Sequence, residues 1–162
     1  MSVQTVRVSK LLAASRDEVF DAWLDPDGMC EWMLPGTVRH CDVMLEPRVG
    51  GRFHIFMKSA GADYVHTGEY RVLDRPSKLA FTWVSSRMDQ QETLVTIELF
   101  ERGEQQCELV LTHERVPADH SARGLGVGWN QMLEKLSGRL ARTHEGRPAQ
   151  TSRDLGNGKG AK

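Results

Sequence analysis

His113 and Glu69 are the two polar residues whose neighbours give them a route to chemistry. His113 shares parity with Leu109 and Leu111, so an alternating strand points it toward the apolar side of a sheet. A neutral imidazole there can exchange hydrogen bonds with a buried ligand or serve as a general base near pH 7. The simpler use is a histidine hydrogen-bonded to a neighbour at the sheet edge. Glu69 lies between Gly68 and Tyr70. Turned inward, burial would favour its neutral form and make it a usable acid or base; turned outward, it is a surface charge. Val72 and Leu73 are both apolar, so a period of two leaves the face of Glu69 open. His54 and His66 fall on adjacent strands with a parity opposite to that of Phe53 and Ile55, which places His54 in solvent.

Tryptophans at 23, 32, 83 and 129 supply large apolar area, each with one N–H able to orient a ligand. Trp23 and Trp129 sit on regular helical stripes, where core packing is the plainer role. Other chemistries lack their residues. There is no HxxxH, CxxC or carboxylate cluster for a metal, and His40 and Cys41 point to opposite faces of a strand. No GxSxG elbow is present. Gly124-Leu125-Gly126-Val127-Gly128 lacks the lysine of a phosphate loop, and close packing of a helix on a sheet is the simpler use of its glycines. No cofactor is expected.

The elements that position these residues follow a clear order. Val3 to Leu12 alternates as a strand. Ser15-Arg16-Asp17-Glu18 fits a capping box, and the helix it opens carries Val19, Phe20, Trp23 and Leu24 on one face. Asp25-Pro26-Asp27-Gly28 breaks that helix, and a second short one spans Met29 to Met33. Period-two strands follow over Val38 to Leu45, Phe53 to Met57, Tyr64 to Leu73, Leu79 to Val84, Thr93 to Phe100 and from Cys107 to His113. Leu125, Trp129, Met132, Leu133, Leu136 and Leu140 then form one helical stripe. The pattern is α+β: a curved antiparallel sheet of about seven strands, two short helices, and a long C-terminal helix packed across the sheet, in one domain over residues 1–142. Residues 143–162 read as a basic, solvated tail.

Composition narrows the function classes. The net charge is −1, yet Arg139 to Lys162 holds six basic against two acidic residues, so the basic excess sits at the chain end and not on the folded body. That distribution argues against nucleic-acid binding. No apolar run approaches the ~20 residues that cross a bilayer. The first residues lack a charged-then-apolar signal pattern. Cys30, Cys41 and Cys107 read as reduced thiols of a cytoplasmic protein. No sequence feature fixes whether the chain pairs as a homodimer.

Several motifs, in order, resemble one family. They are Ala22-Trp23-Leu24-Asp25-Pro26, Glu31-Trp32 with Pro35, Val49-Gly50-Gly51-Arg52-Phe53, Gly68-Glu69-Tyr70, Leu79-Ala80-Phe81-Thr82-Trp83, Val95-Thr96-Ile97-Glu98, Leu109 to His113, and Gly128-Trp129 with Leu133 and Leu136. Over about residues 5–141 they resemble the activator of Hsp90 ATPase homologue-like family of the START-like (Bet v 1-like, SRPBCC) superfamily. The resemblance implies a helix-grip fold with a hydrophobic cavity between sheet and helix, and Trp32 near its mouth. The lining expected from it is Trp32, Tyr70, Trp83, His113, Trp129 and Leu133.

The leading functional expectation is therefore binding of a hydrophobic small molecule: a lipid, a polyketide or an aromatic metabolite. The alternatives are a protein-interaction module that regulates a chaperone ATPase, or a cyclase or hydrolase needing an inward polar pair such as His113 with Glu69. The balance of residues leans away from an enzyme.

Overall fold

The computed structural model describes residues 2–145, with side chains to Arg142. Its strands are β1 (Val3–Leu12), β2 (Val38–Leu45), β3 (Arg52–Ser59), β4 (Asp63–Asp74), β5 (Lys78–Ser85), β6 (Glu92–Glu101) and β7 (Cys107–Pro117). Helices α1 (Arg16–Ala22) and α2 (Pro26–Trp32) lie between β1 and β2, and α3 (Ala122–Glu145) closes the described chain. The reading of the chain end as a solvated tail falls, beyond Glu145, outside the described residues.

The strands form one seven-stranded sheet in the order β1-β7-β6-β5-β4-β3-β2. Every neighbouring pair is antiparallel. This is the α+β helix-grip architecture expected from the alternation of apolar residues. Along β6, Val95, Ile97 and Leu99 are buried while their neighbours are partly exposed, as a sheet with one covered face requires. The buried residues of β3, β5 and β7 join the stripe of α3 in a single hydrophobic core. No helix of the described residues is long and apolar enough to cross a membrane.

Local chemistry sets the boundaries. Ser15 Oγ accepts from the Glu18 N–H, and Glu18 reaches back to the Ser15 N–H, completing the capping box. The Asp25-Pro26 pair starts the second helix instead of serving as a gap before it. Asp25 takes the N-cap position and Pro26 the first turn, where its missing N–H leaves no bond unmade.

A bulge between Tyr70 and Val72 explains the ambiguous parity of β4. Before it, His66, Gly68 and Tyr70 face the core. After it the phase changes, and Leu73 packs against the core opposite Leu79. Gly68 has a steric reason: a Cβ there would overlap the Thr82 carbonyl oxygen and the Phe53 ring.

Candidate functional site

Between β3, β4 and β5 and the first turns of α3, packing leaves a pocket of about 120 Å³. Two glycines of α3 help to create it. Gly124 and Gly128 both line the space, and a Cβ at Gly128 would find only Pro35 within reach, at 3.8 Å. The glycines therefore leave room where close packing of helix on sheet was expected. Even at Gly126, an added Cβ would come no nearer than 3.7 Å to Val6.

Trp83 from β5 and Trp129 from α3 form two walls, their ring centroids 5.2 Å apart at 53°. Met57, Met88 and Met132 complete an apolar lining. Thioethers adapt to a ligand's shape and make favourable contacts with aromatic rings. Arg87, His120, Ser121 and His66 add polar groups to the same lining.

His66 corrects the parity read from the sequence. It pairs directly with Ile55 across β3 and β4, so it shares the inward face with that residue while His54 is exposed. Its ring stacks on Trp83 at 4.7 Å and 22°. Only 6% of the residue is exposed, and Nδ1 has no hydrogen-bond partner. Burial, reinforced by the nearby Arg87 charge, pushes its pKa down to about 4, so the ring is neutral near pH 7.

His113 is fully buried behind the pocket and does not line it. The Trp129 Nε1–H donates to His113 Nδ1 at 3.1 Å. His113 Nε2 lies 2.7 Å from Thr93 Oγ1, whose hydroxyl donates to the Trp83 carbonyl at 2.6 Å. These partners require the tautomer with the proton on Nε2. Burial first, then the charges of His120 and His66, holds the pKa down to about 3. Both ring nitrogens are engaged, so His113 has no free lone pair with which to take a substrate proton. Its role here is to anchor Trp129 to the sheet.

The other residues singled out in the sequence spread around this centre. Tyr70 lines a separate space of about 10 Å³ on the far side of Trp83. Trp32 is fully buried against Trp23, with ring centroids 4.8 Å apart, and lines neither space; its Nε1–H has no partner. Leu133 is likewise fully buried in the core and lines neither space. Glu69 points to the opposite face, its side chain 34% exposed and its carboxylate 4.0 Å from Arg52. His113 and Glu69 thus lie on opposite faces of the sheet and do not form an acid–base pair.

Arg87, His120, Met57 and Met88 line the pocket without having been singled out as ligand contacts in the sequence, and His66 was given the wrong parity. His66 was within reach, since pairing Phe53 with Gly68 would have aligned it with Ile55. Arg87 and Met88 had no such signal. They sit on one 3-10 turn (Ser86–Met88) between β5 and β6, whose path depends on left-handed Asp89 and Gln90. Among the described residues, no group of three or more His, Cys, Asp or Glu is placed to hold a metal ion.

A curved antiparallel sheet gripping a long helix, with a pocket between them, defines the helix-grip class. The chain belongs within it to the activator of Hsp90 ATPase homolog 1-like family, whose model matches residues 13–141. No curated protein matches the sequence. Among solved structures, a Chromobacterium violaceum protein is similar with a TM-score of 0.74 and 23% identity, over 84% of this chain and 96% of that one. A Mesorhizobium loti protein gives 0.72 and 25%, over 86% and 98%. An HSP90 activator from Plasmodium falciparum gives 0.69 and 20%, over 85% and 96%.

Proposed function

We propose that this chain binds a small apolar molecule, the size of about one aromatic ring, against the contacting indoles of Trp83 and Trp129, and carries out no acid–base chemistry on it. The observation that carries the reading is the 120 Å³ pocket walled by two indoles and three methionines. Engineered apolar cavities of about 150 Å³ take up benzene, so a volume of this order suits a single ring. Among the expected ligand classes it favours an aromatic metabolite over a long lipid chain or a polycyclic polyketide. The separation of Glu69 from His113 supports binding without turnover. The three unpaired cysteines agree with a reducing, cytoplasmic setting.

Thermal unfolding with toluene tests the reading. A ligand that binds the native state raises the midpoint. Gly128→Leu places a side chain toward the pocket and replaces a helix-interior glycine at a gain of up to about 1 kcal/mol. Wild type should rise in midpoint with toluene and Gly128→Leu should not. No rise in wild type up to the solubility limit would remove the reading.

The family match supports a second reading, in which the chain stimulates a chaperone ATPase. Turnover of a purified Hsp90-type chaperone should increase with added protein. Unchanged turnover at saturation excludes it.

A further inference from the structure

We infer that the ligand is a small aromatic anion, its ring against Trp83 and Trp129 and its negative group held by Arg87, His120 and the first turn of α3, which line the same pocket. The inference rests on the ring-binding reading above and adds the charge of the ligand.

The pocket is electrically one-sided. Arg87 and His120 line it, and no carboxylate does. Arg87 lies over the Tyr64 ring at 4.8 Å and has no ion pair among the described residues. Its turn is pinned from both sides: Ser85 Oγ accepts the Arg87 N–H at 3.0 Å, and Ser86 Oγ accepts the Val65 N–H at 3.1 Å. The guanidinium is therefore carried on an anchored backbone beside the pocket, available to a ligand's anionic group.

Helix α3 adds to this polarity. Ser121 Oγ accepts the Gly124 N–H at 2.9 Å, capping the helix, and both residues line the pocket. The positive end of a 24-residue helix thus borders the pocket that Arg87 also lines.

His66 supplies an independent sign that a polar ligand group belongs here. It lines the pocket, is almost wholly buried, and leaves Nδ1 without a partner. A buried polar atom without a hydrogen bond is unfavourable unless something else completes it. A neutral imidazole can donate one N–H toward an anion, and the apolar half of the pocket holds the ring.

Phenylacetate and its neutral isostere phenylacetamide separate charge recognition from ring binding. Titration calorimetry of the full chain at low salt should show phenylacetate binding on the order of tenfold more tightly than phenylacetamide. The gap should narrow at high salt and close in Arg87→Gln. Equal affinities, or a gap unchanged in Arg87→Gln, would overturn the anion inference while ring binding stands. Failure of both compounds to bind would remove the ring-binding reading together with it.

Discussion

Trp129 on α3 donates its indole N–H to Nδ1 of His113 on β7 across 3.1 Å, with both residues buried. One hydrogen bond thus fixes the helix wall of the pocket to the sheet, and the Thr93 hydroxyl continues the chain to the backbone of Trp83, the adjoining wall. The buried histidine that looked like a candidate base is the element that sets the spacing of the two indoles.

Breaking this link should cost more than its apolar area alone. Trp129→Phe leaves Nδ1 of His113 without a donor in the interior, a loss of about 1–3 kcal/mol before any cavity contribution. Urea denaturation should show a lower midpoint with an unchanged slope. A midpoint equal to that of the wild type would mean the bond contributes nothing.

Acid should destabilise the fold through its buried histidines. His66 and His113 have folded pKa values of about 4 and about 3, against 6.5 for an exposed ring. Below pH 6.5 the unfolded chain takes up protons that the folded chain refuses, so stability is full above that pH and falls as pH drops toward 4. Each histidine contributes a slope of up to about 1.4 kcal/mol per pH unit. Burial first, and then the charge of Arg87, oppose the protonation of His66; His120 and the start of α3 line the same pocket. His66→Phe keeps a ring against Trp83 and should remove about half of this slope between pH 6 and 4.5, measured by urea midpoints across pH. An unchanged slope would show that His66 titrates alike in both states.

Gly68 should tolerate no side chain. Gly68→Ala drives a methyl group into the Thr82 carbonyl and the Phe53 ring, and relief requires β4 to move away from β5. A loss of at least about 1–3 kcal/mol follows, read as a fall in the thermal midpoint. An unchanged midpoint would mean that β4 and β5 can separate without cost.

Much of this architecture was legible because one rule governs most of it. Val95, Ile97 and Leu99 could only be one face of a half-buried strand, and the stripe from Leu125 to Leu140 could only be one face of a helix. The failures came where a strand changes phase or a loop sets the geometry. The bulge after Tyr70 hid the face of β4, leaving Glu69 and His66 open although one turns outward and the other inward. Arg87 reached the pocket through a turn that periodicity cannot describe. Leu133 lies on the apolar stripe of α3, which carries it deep into the core, and Trp32, which the resemblance places near the cavity mouth, is instead buried against Trp23. The sequence showed which residues are inside but not where the inside is left empty.

The indole N–H resonances test the central claim most directly, since each of the four tryptophans reports its own surroundings. Titrating the protein with toluene should progressively shift the signals of Trp83 and Trp129 and leave that of Trp32 in place. Gly128→Leu should abolish the shifts. No movement of the Trp83 and Trp129 signals at toluene saturation, or equal movement at Trp32, would contradict a ligand held against those two rings.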